Sequence, residues 1–167
     1  PQVIFGGGDG WVYSFRADKW DVPKRRPLLL WKFDANPKTS RWVLSGRGRR
    51  NNIVASPVIH GQRVFVAGGQ DAEHGSGDGD LWCIDPTRRG DISPELAFRV
   101  DGDKRTALLP RRLQAVNPDA GEVATRNANS GVIWHYSGAD ANGDGKVDDG
   151  EKMHRTACRP AIANGLL

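Results

Sequence analysis

Short apolar runs alternate with Gly, Pro, Asn and Asp along the whole chain. Each run is about as long as one β-strand, and the runs are rich in the β-branched and aromatic residues that favour strands. The spacers supply residues that tolerate positive φ or form local turns. We predict strands at residues 3–5, 11–15, 28–33, 53–54, 57–59, 63–66, 81–84 and 132–136. Helical periodicity is weak and confined to residues 95–98 and 151–157, so the pattern predicts an all-β fold.

The strand pattern repeats. Residues 2–7 match residues 63–68 at an offset of 61, and residues 10–15 match residues 79–84 at an offset of 69. Two further matches share an offset of 103: residues 30–33 with 133–136, and residues 57–59 with 160–162. Two separate matches that share one offset indicate a structural repeat. The unit reads as a strand, a Gly-Asp-Gly turn, a strand with an aromatic residue, a Trp-bearing strand and a Pro-led strand that opens the next unit. Four short antiparallel strands per unit are typical of a β-propeller blade.

The length of 167 residues suits one domain but not a closed ring. It holds about two blades and the start of a third, whereas a propeller typically has at least four. We therefore expect residues 1–167 to be a single partial propeller domain, completed by blades from flanking sequence. Pro1 in place of a start Met and the apolar last residues suggest that both ends are cuts in a longer chain. Residues 86–130 form an insertion within the second blade and are the candidate contact element.

Charge and hydropathy exclude some function classes. The net charge is +4, and the basic excess lies in the first third, in clusters such as Lys24 to Arg26 and Arg47, Arg49 and Arg50. These clusters lack an aromatic or recognition-helix pattern, so solvated loops are favoured over a nucleic-acid interface. Every apolar run is far shorter than the roughly 20 residues that cross a bilayer, which predicts no membrane span.

The remaining reactive side chains form no recognised catalytic motif. Cys83 and Cys158 fit one disulfide or two free thiols equally well. The ligand-type residues around the second Gly-rich turn lack metal-ligand spacing, and the histidines occupy different points of the repeat, so surface or packing roles are favoured. These residues are Asp71, His74, Asp78 and Asp80, and His60, His135 and His154. Catalytic residues therefore stay unassigned. For the six tryptophans structural packing is favoured over cofactor stacking, and Trp31 and Trp134 have the inter-blade packing role by their positions in the repeat.

The strongest chemical motif is the sequence D-A-N-G-D-G-K-V-D-D-G-E at residues 140–151. Calcium takes six to eight oxygen ligands, which a 12-residue EF-hand loop provides from positions 1, 3, 5, 7, 9 and 12. Those positions hold Asp140, Asn142, Asp144, the Lys146 carbonyl, Asp148 and Glu151. Gly145 occupies the sharp turn at position 6, and Val147 is placed to anchor the loop. The motif predicts a calcium site, with an acidic surface turn as the alternative.

The surroundings of this loop differ from those of an EF-hand. A Trp-bearing strand precedes the loop where an EF-hand has a helix, and only residues 151–157 suit a short exiting helix. We therefore expect an EF-like loop inserted in a blade connection, where calcium acts as a structural staple. The equivalent connection of the first blade, also 26 positions from Trp to Pro, has no acidic ligands, and Trp42, Val43 and Leu44 are expected to pack it instead.

Residues 64–68, 77–85 and 130–136 resemble the repeat of pyrroloquinoline-quinone (PQQ)-type β-propellers. In that family a pattern of the form VYVGs-DG-LYALDa-TG-lW-f runs through each blade, and residues 1–33 follow it except that Pro27 and Leu28 replace the Thr-Gly before Trp31. The resemblance implies a periplasmic or extracellular propeller. It favours a non-catalytic module that binds a protein or carbohydrate partner and is stabilised by calcium. The alternative is a fragment of a PQQ-dependent alcohol or sugar dehydrogenase, for which no quinone-binding residue is identified.

Overall fold

The structure is a computed structural model that describes residues 1–38, 40, 51–70, 77–108 and 116–167. The described residues form twelve strands and two 3-10 turns, Pro118–Ala120 and Asp149–Glu151. In chain order the strands are β1 (Gln2–Gly6), β2 (Trp11–Asp21), β3 (Arg26–Asp34), β4 (Asn51–Asn52), β5 (Val58–His60), β6 (Arg63–Gln70), β7 (Gly79–Ile84), β8 (Gly90–Asp91), β9 (Glu95–Asp101), β10 (Lys104–Ala107), β11 (Glu122–Arg126) and β12 (Val132–Tyr136). The all-β prediction is confirmed, and none of the helices within the described residues has the length and apolar character of a membrane span.

Strands β1, β2 and β3 form an antiparallel sheet that we call the first meander. Gly10, with φ of +79°, occupies the turn between β1 and β2, where the backbone adopts a conformation that favours glycine. The short strand β8 adds to β3 in parallel, with Trp31 opposite Gly90. The first part of the insertion is therefore attached to the edge of this sheet.

Strands β5, β6, β7 and β12 form the second meander, in which every neighbouring pair is antiparallel. Strand β4 extends the same sheet at the far end of β6, where Asn51 is opposite Gln70. The strands of the two meanders correspond as the sequence repeat predicts, with β1 equivalent to β6, β2 to β7 and β3 to β12. Among the described residues the sheets do not close into a ring or a barrel.

The insertion at residues 86–130 lies between β7 and β12, which are adjacent in the sheet. Beyond β8 it forms its own antiparallel sheet in the order β10-β9-β11, which we call the inserted sheet. Ile92, which is fully buried, fastens the base of the insertion: its N–H donates to the Lys32 carbonyl and its carbonyl accepts from the Gly131 N–H. The insertion is thus an ordered subdomain at its described residues.

The apolar core lies between the two meanders. The first meander contributes Val12, Trp31 and Phe33, and the second contributes mainly Val64, Val66, Trp82 and Ile84. The Phe33 and Trp82 rings meet edge to face with centroids 5.2 Å apart. One polar side chain, Gln2, also reaches into this region, where its Oε1 accepts hydrogen bonds from Trp31 Nε1 at 2.9 Å and Ser14 Oγ at 2.8 Å.

One strand prediction is wrong, and two weak helical signals do not correspond to α-helices. Residues 95–98 belong to β9, and after the 3-10 turn Asp149–Glu151 the chain is extended or irregular, so neither weak helical signal forms an α-helix. Residues 53–54 follow strand β4 instead of forming a strand. These segments are short, and their partners along the sheet, which periodicity does not report, decide their conformation.

Candidate functional site

A cavity of about 600 Å³ lies where the ends of the two meanders meet the inserted sheet. Its size is within the range of small-molecule sites in proteins. The polar residues of its wall come from the ends of β3, β6, β7 and β12, and the apolar ones come mainly from the inserted sheet. We call this cavity the cleft.

Asp34, the last residue of β3, is the most buried acid of the cleft, at 2 % exposure. Its Oδ1 accepts hydrogen bonds from the N–H and Nδ2 of Asn36, each at 2.9 Å. Its Oδ2 has no hydrogen-bond partner among the described residues. Burial raises the pKa of Asp34 to about 7; the Asn36 hydrogen bonds oppose this increase, and the nearby charges of Asp91 and Asp9 add to it.

Strands β7 and β12 position a second polar group. His135 is opposite Trp82 in the sheet register, and Asp80 is two residues before Trp82 on the same face of β7. The His135 and Trp82 rings therefore stack, with centroids 3.7 Å apart and planes at 17°. His135 Nε2 lies 2.7 Å from Asp80 Oδ1, which holds the imidazole in place. The buried Nε1–H of Trp82 has no acceptor among the described residues.

Ion pairs surround the cleft. Lys38 Nζ lies 2.8 Å from Glu95 Oε1 and joins the connection after β3 to the inserted sheet. Lys152 Nζ lies 3.7 Å from Asp78 Oδ1 and 3.3 Å from Asp149 Oδ1, so it links the acidic loop to the start of β7. Both lysines are partly or mostly exposed, and these pairs contribute little to stability. Their main effect is to balance the charges of the acids beside them.

The inserted sheet supplies an apolar wall. Leu96 and Ala97 of β9, Ala124 of β11 and Pro94 line the cleft on this side, and Val147 of the acidic loop lines it as well. An apolar wall next to a few fixed polar atoms is the usual composition of a ligand pocket. The insertion, which the sequence marks as the candidate contact element, therefore forms part of this cavity.

The acidic loop at residues 140–151 is closed at its base by an antiparallel bridge between Gly138 and Lys152. Asp140 accepts backbone hydrogen bonds through both side-chain oxygens, including one from Gly145 N at 2.8 Å. Glu151 accepts from the N–H groups of Ala141, Asn142 and Asp148, each at 3.0 Å. Its hydrogen bond from Asp148 N–H is the main cause of a lowered Glu151 pKa.

The donor types and the backbone of this loop suit calcium, but its side chains are not gathered around a common point. Gly145 has φ of +86° at the turn position, as the EF-hand pattern requires. Among the described residues, however, no group of three or more His, Cys, Asp or Glu side chains is placed to hold a metal ion. Calcium binding would require the acidic side chains of the loop to come closer together than they are here. Val147, the predicted anchor, lines the cleft and is 43 % exposed.

Other predicted residues are dispersed. Asp71, His74, Trp42 to Leu44 and the second basic cluster lie outside the described residues. Lys24 and Arg25 lie in an exposed turn, and the exposed Arg26 begins β3. Cys83 and Cys158 are both free thiols, the first buried and the second exposed. His60 lies on β5. The backbone of His154 forms an isolated antiparallel β-bridge with that of Asp78, just before β7.

Sequence reasoning did not single out Asp34, and it named Asp80 and His135 without pairing them. Asp34 directly follows the apolar run 28–33, and a charged residue at the end of such a run is the signal that the sequence offers for it. The Asp80 and His135 pair joins residues 55 positions apart, and the sheet register brings them together. The repeat offset of 103 also places Asp34 and Ser137 at equivalent positions, and both line the cleft.

Comparison with known proteins does not assign this chain to a family. No family model, no curated protein and no solved structure matches it.

Proposed function

We propose that the two meanders are neighbouring blades of a PQQ-like propeller and that the chain is a non-catalytic module that binds a protein or carbohydrate partner in its cleft. The binding role depends on one observation: the cleft contains buried polar atoms, Asp34 Oδ2 and Trp82 Nε1, without partners among the described residues. Such atoms cost free energy unless a ligand or water pairs with them. A ligand that supplies both partners would remove that cost.

The propeller arrangement is supported by equivalent positions that differ in exposure. Val64, Val66, Trp82 and Ile84 of the second meander pack on the first meander and are buried. Their equivalents at the repeat offsets form an apolar face on the first meander: Val3, Phe5, Tyr13 and Phe15. If the contact between the two meanders were repeated once more along the chain, a further blade would cover this face of the first meander, as stacked repeats require.

The exposed face of the first meander has the properties of a packing surface. Val3 is 53 % exposed and Phe5 is 44 % exposed, and the Phe5 ring stacks on Phe15 with centroids 5.7 Å apart. Strand β1 has no outer neighbour among the described residues, whereas its equivalent β6 pairs with β5. An exposed apolar sheet face beside an unpaired strand edge is typical of a surface that another sheet covers.

Binding in the cleft is tested with one variant that fills it and one that does not. The wild-type chain, Ala97→Trp and Ala17→Trp would be screened against a peptide library and a glycan array. Ala97 lines the cleft, whereas Ala17 is exposed on β2. We expect binders whose affinity falls at least about tenfold in Ala97→Trp and stays unchanged in Ala17→Trp. The absence of binders, or binders that respond equally to both variants, would reject the proposal.

The dehydrogenase alternative has a separate test. The chain would be incubated with PQQ and calcium and assayed for dye-linked oxidation of alcohols and sugars. We expect neither turnover nor bound quinone absorbance. Turnover that requires both additions would replace the binding proposal with the enzymatic one.

Calcium binding by the loop at residues 140–151 is a second proposal, supported by the ligand types and the positive φ of Gly145. The measurement is the melting temperature with calcium and with a chelator, together with metal analysis. We expect calcium to raise the melting temperature of the wild type and of Asp149→Ala, since Asp149 is not at a ligand position, but not that of Asp140→Ala. Equal behaviour in calcium and chelator for the wild type would reject a calcium site.

A further inference from the structure

Every acid of the cleft except one has a basic side chain within 4 Å among the described residues. Asp80 is paired with His135, Asp78 lies near Lys152, and Glu95 is paired with Lys38. Asp34 forms no ion pair with a lysine, arginine or histidine of the described chain. Among the described residues, its Oδ1 accepts from the two N–H donors of Asn36 and from no other group. The most buried carboxyl of the cleft is therefore also the one with no basic side chain beside it in the described part of the chain.

The described groups around Asp34 do not supply a cation. Asp91 of β8 and Asp9 of the β1–β2 turn lie near it, and both carry negative charge. Lys32 is held by Asp91, at 3.0 Å between Nζ and Oδ2, and the Tyr13 hydroxyl donates to Asp9 at 2.8 Å. The pKa of Tyr13 is raised, mainly by burial and also by Asp9 and Asp34, so its phenol stays neutral. The local field thus favours a positive charge.

The rest of the cleft fits a hydrocarbon body. Leu96, Ala97 and Ala124 of the inserted sheet form an apolar wall, and Pro94 and Val147 extend it. An ammonium group on an apolar stem would place its charge at the carboxylate and its carbon atoms against this wall.

We propose that the cleft binds a primary ammonium group carried on an apolar stem, with Asp34 as the carboxylate that pairs with the ammonium. The inference rests on the proposed binding role of the cleft. The same chemistry is presented by a lysine side chain of a protein partner and by a free organic amine. Within the described part of the cleft, an ammonium would supply the charge partner that Asp34 lacks.

Binding of the amine in the cleft should depend on pH. Asp34 has to be ionised to pair with the amine, and its pKa is about 7 in the unliganded chain. Between pH 6 and pH 8 the ionised fraction rises about tenfold, while a primary alkyl amine stays protonated. We therefore expect the affinity for the amine to rise about tenfold over this interval.

The test uses three probes of similar shape: phenethylamine, phenethyl alcohol and phenylacetate. Binding to the 167-residue chain would be followed by NMR, with the Trp82 indole N–H as reporter, and affinities would come from the titrations. We expect phenethylamine to bind at least about tenfold more tightly than the alcohol and phenylacetate not to bind. In Asp34→Asn the preference for the amine is lost. Asp18→Asn, the same charge change at an exposed residue of β2, leaves it intact.

A second comparison distinguishes the two sources of the ammonium. A capped Leu-Lys-Leu peptide and its Nε-acetylated form would be titrated in the same way. Tighter binding of the unmodified peptide than of phenethylamine assigns the site to a protein partner, and the reverse assigns it to a free amine.

Several results would overturn the inference. These are equal affinity for the amine and the alcohol, preference for phenylacetate, retention of the amine preference in Asp34→Asn with unchanged circular dichroism, or no pH dependence between pH 6 and pH 8. Failure of the amine while another probe or a library ligand binds in the cleft rejects this inference and leaves the binding role standing. Failure of every ligand rejects both.

Discussion

The two meanders share a strand pattern but differ in how their equivalent positions are buried. Trp31 of the first meander is fully buried and donates to Gln2, whereas its repeat equivalent Trp134 is half-buried and contacts Phe65 at a centroid distance of 5.9 Å. Phe5 and Phe15 are partly exposed, whereas their equivalents Val66 and Ile84 are fully buried. Burial at equivalent positions therefore depends on which face of each meander packs against the other.

The largest expected effect concerns the equivalent tryptophans. Trp31→Ala should reduce the free energy of unfolding by about 3–5 kcal/mol, because it empties a fully buried site, and Trp134→Ala by about 1–2 kcal/mol, because its site is partly solvated. Urea denaturation measures both. Trp31→Phe keeps most of the side-chain volume but loses the Gln2 hydrogen bond. Loss of that bond should lower the free energy of unfolding by about 1 kcal/mol, in addition to the cost of the smaller side chain. Equal losses for Trp31→Ala and Trp134→Ala would show that the two sites are packed alike.

The next effect concerns Asp34, whose equivalent in the second meander is the exposed Ser137. The folded chain holds the Asp34 proton up to about pH 7, whereas the unfolded chain releases it near the ordinary value of 3.8. Stability should therefore fall as pH rises from about 4 to about 7, by up to ~4 kcal/mol. Asp34→Asn should remove this slope and be more stable than the wild type at pH 8, as measured by urea denaturation at pH 5 and pH 8. The prediction fails if both proteins show the same slope.

A smaller effect is expected at Gly79 and at its repeat equivalent Gly10, where the backbone of each meander lies close to a later segment of the chain. Gly79 leaves no room for a side chain, since an added Cβ would lie 2.5 Å from the His154 carbonyl oxygen, and at its equivalent Gly10 the Asn36 side chain would be closer still. Gly79→Ala should cost about 1–3 kcal/mol, because the chain after the acidic loop must move away. The control, Gly150→Ala, has open space around it and should change stability by less than about 1 kcal/mol. Thermal unfolding measures both, and a neutral Gly79→Ala would contradict the close approach.

The smallest effect is chemical and leaves the fold unchanged. Ser14 and its equivalent Cys83 are both fully buried, and burial raises the pKa of the Cys83 thiol, whereas Cys158 is exposed. At pH 8 a thiol reagent such as Ellman's reagent should label one cysteine per chain rapidly, and Cys83 only after addition of urea. Rapid labelling of both thiols in the folded chain would show that the core around Cys83 opens readily.

The sequence by itself predicts the class of the fold and most strands. The predicted strand at residues 132–136 matches β12 from end to end. The offsets of 61, 69 and 103 correctly identify β6 as the repeat equivalent of β1, β7 as that of β2 and β12 as that of β3. These features are local, since alternation, turn residues and repeats are read from neighbours along the chain. The 12-residue acidic motif is also local, which is why its ligand types are visible without a structure.

Tertiary structure alone decided the cleft. Asp80 and His135 meet because β7 and β12 are neighbours in one register, although the whole insertion separates them in the chain. Asp34 becomes a buried carboxyl with a raised pKa because the sheets pack around it, and exposure cannot be read from one residue in a sequence. The inserted sheet forms because β9 pairs with β10 and with β11. The weak helical periodicity at residues 95–98 gave no indication of this pairing. Pairing between distant segments created the site, whereas local patterns were enough to specify the strands.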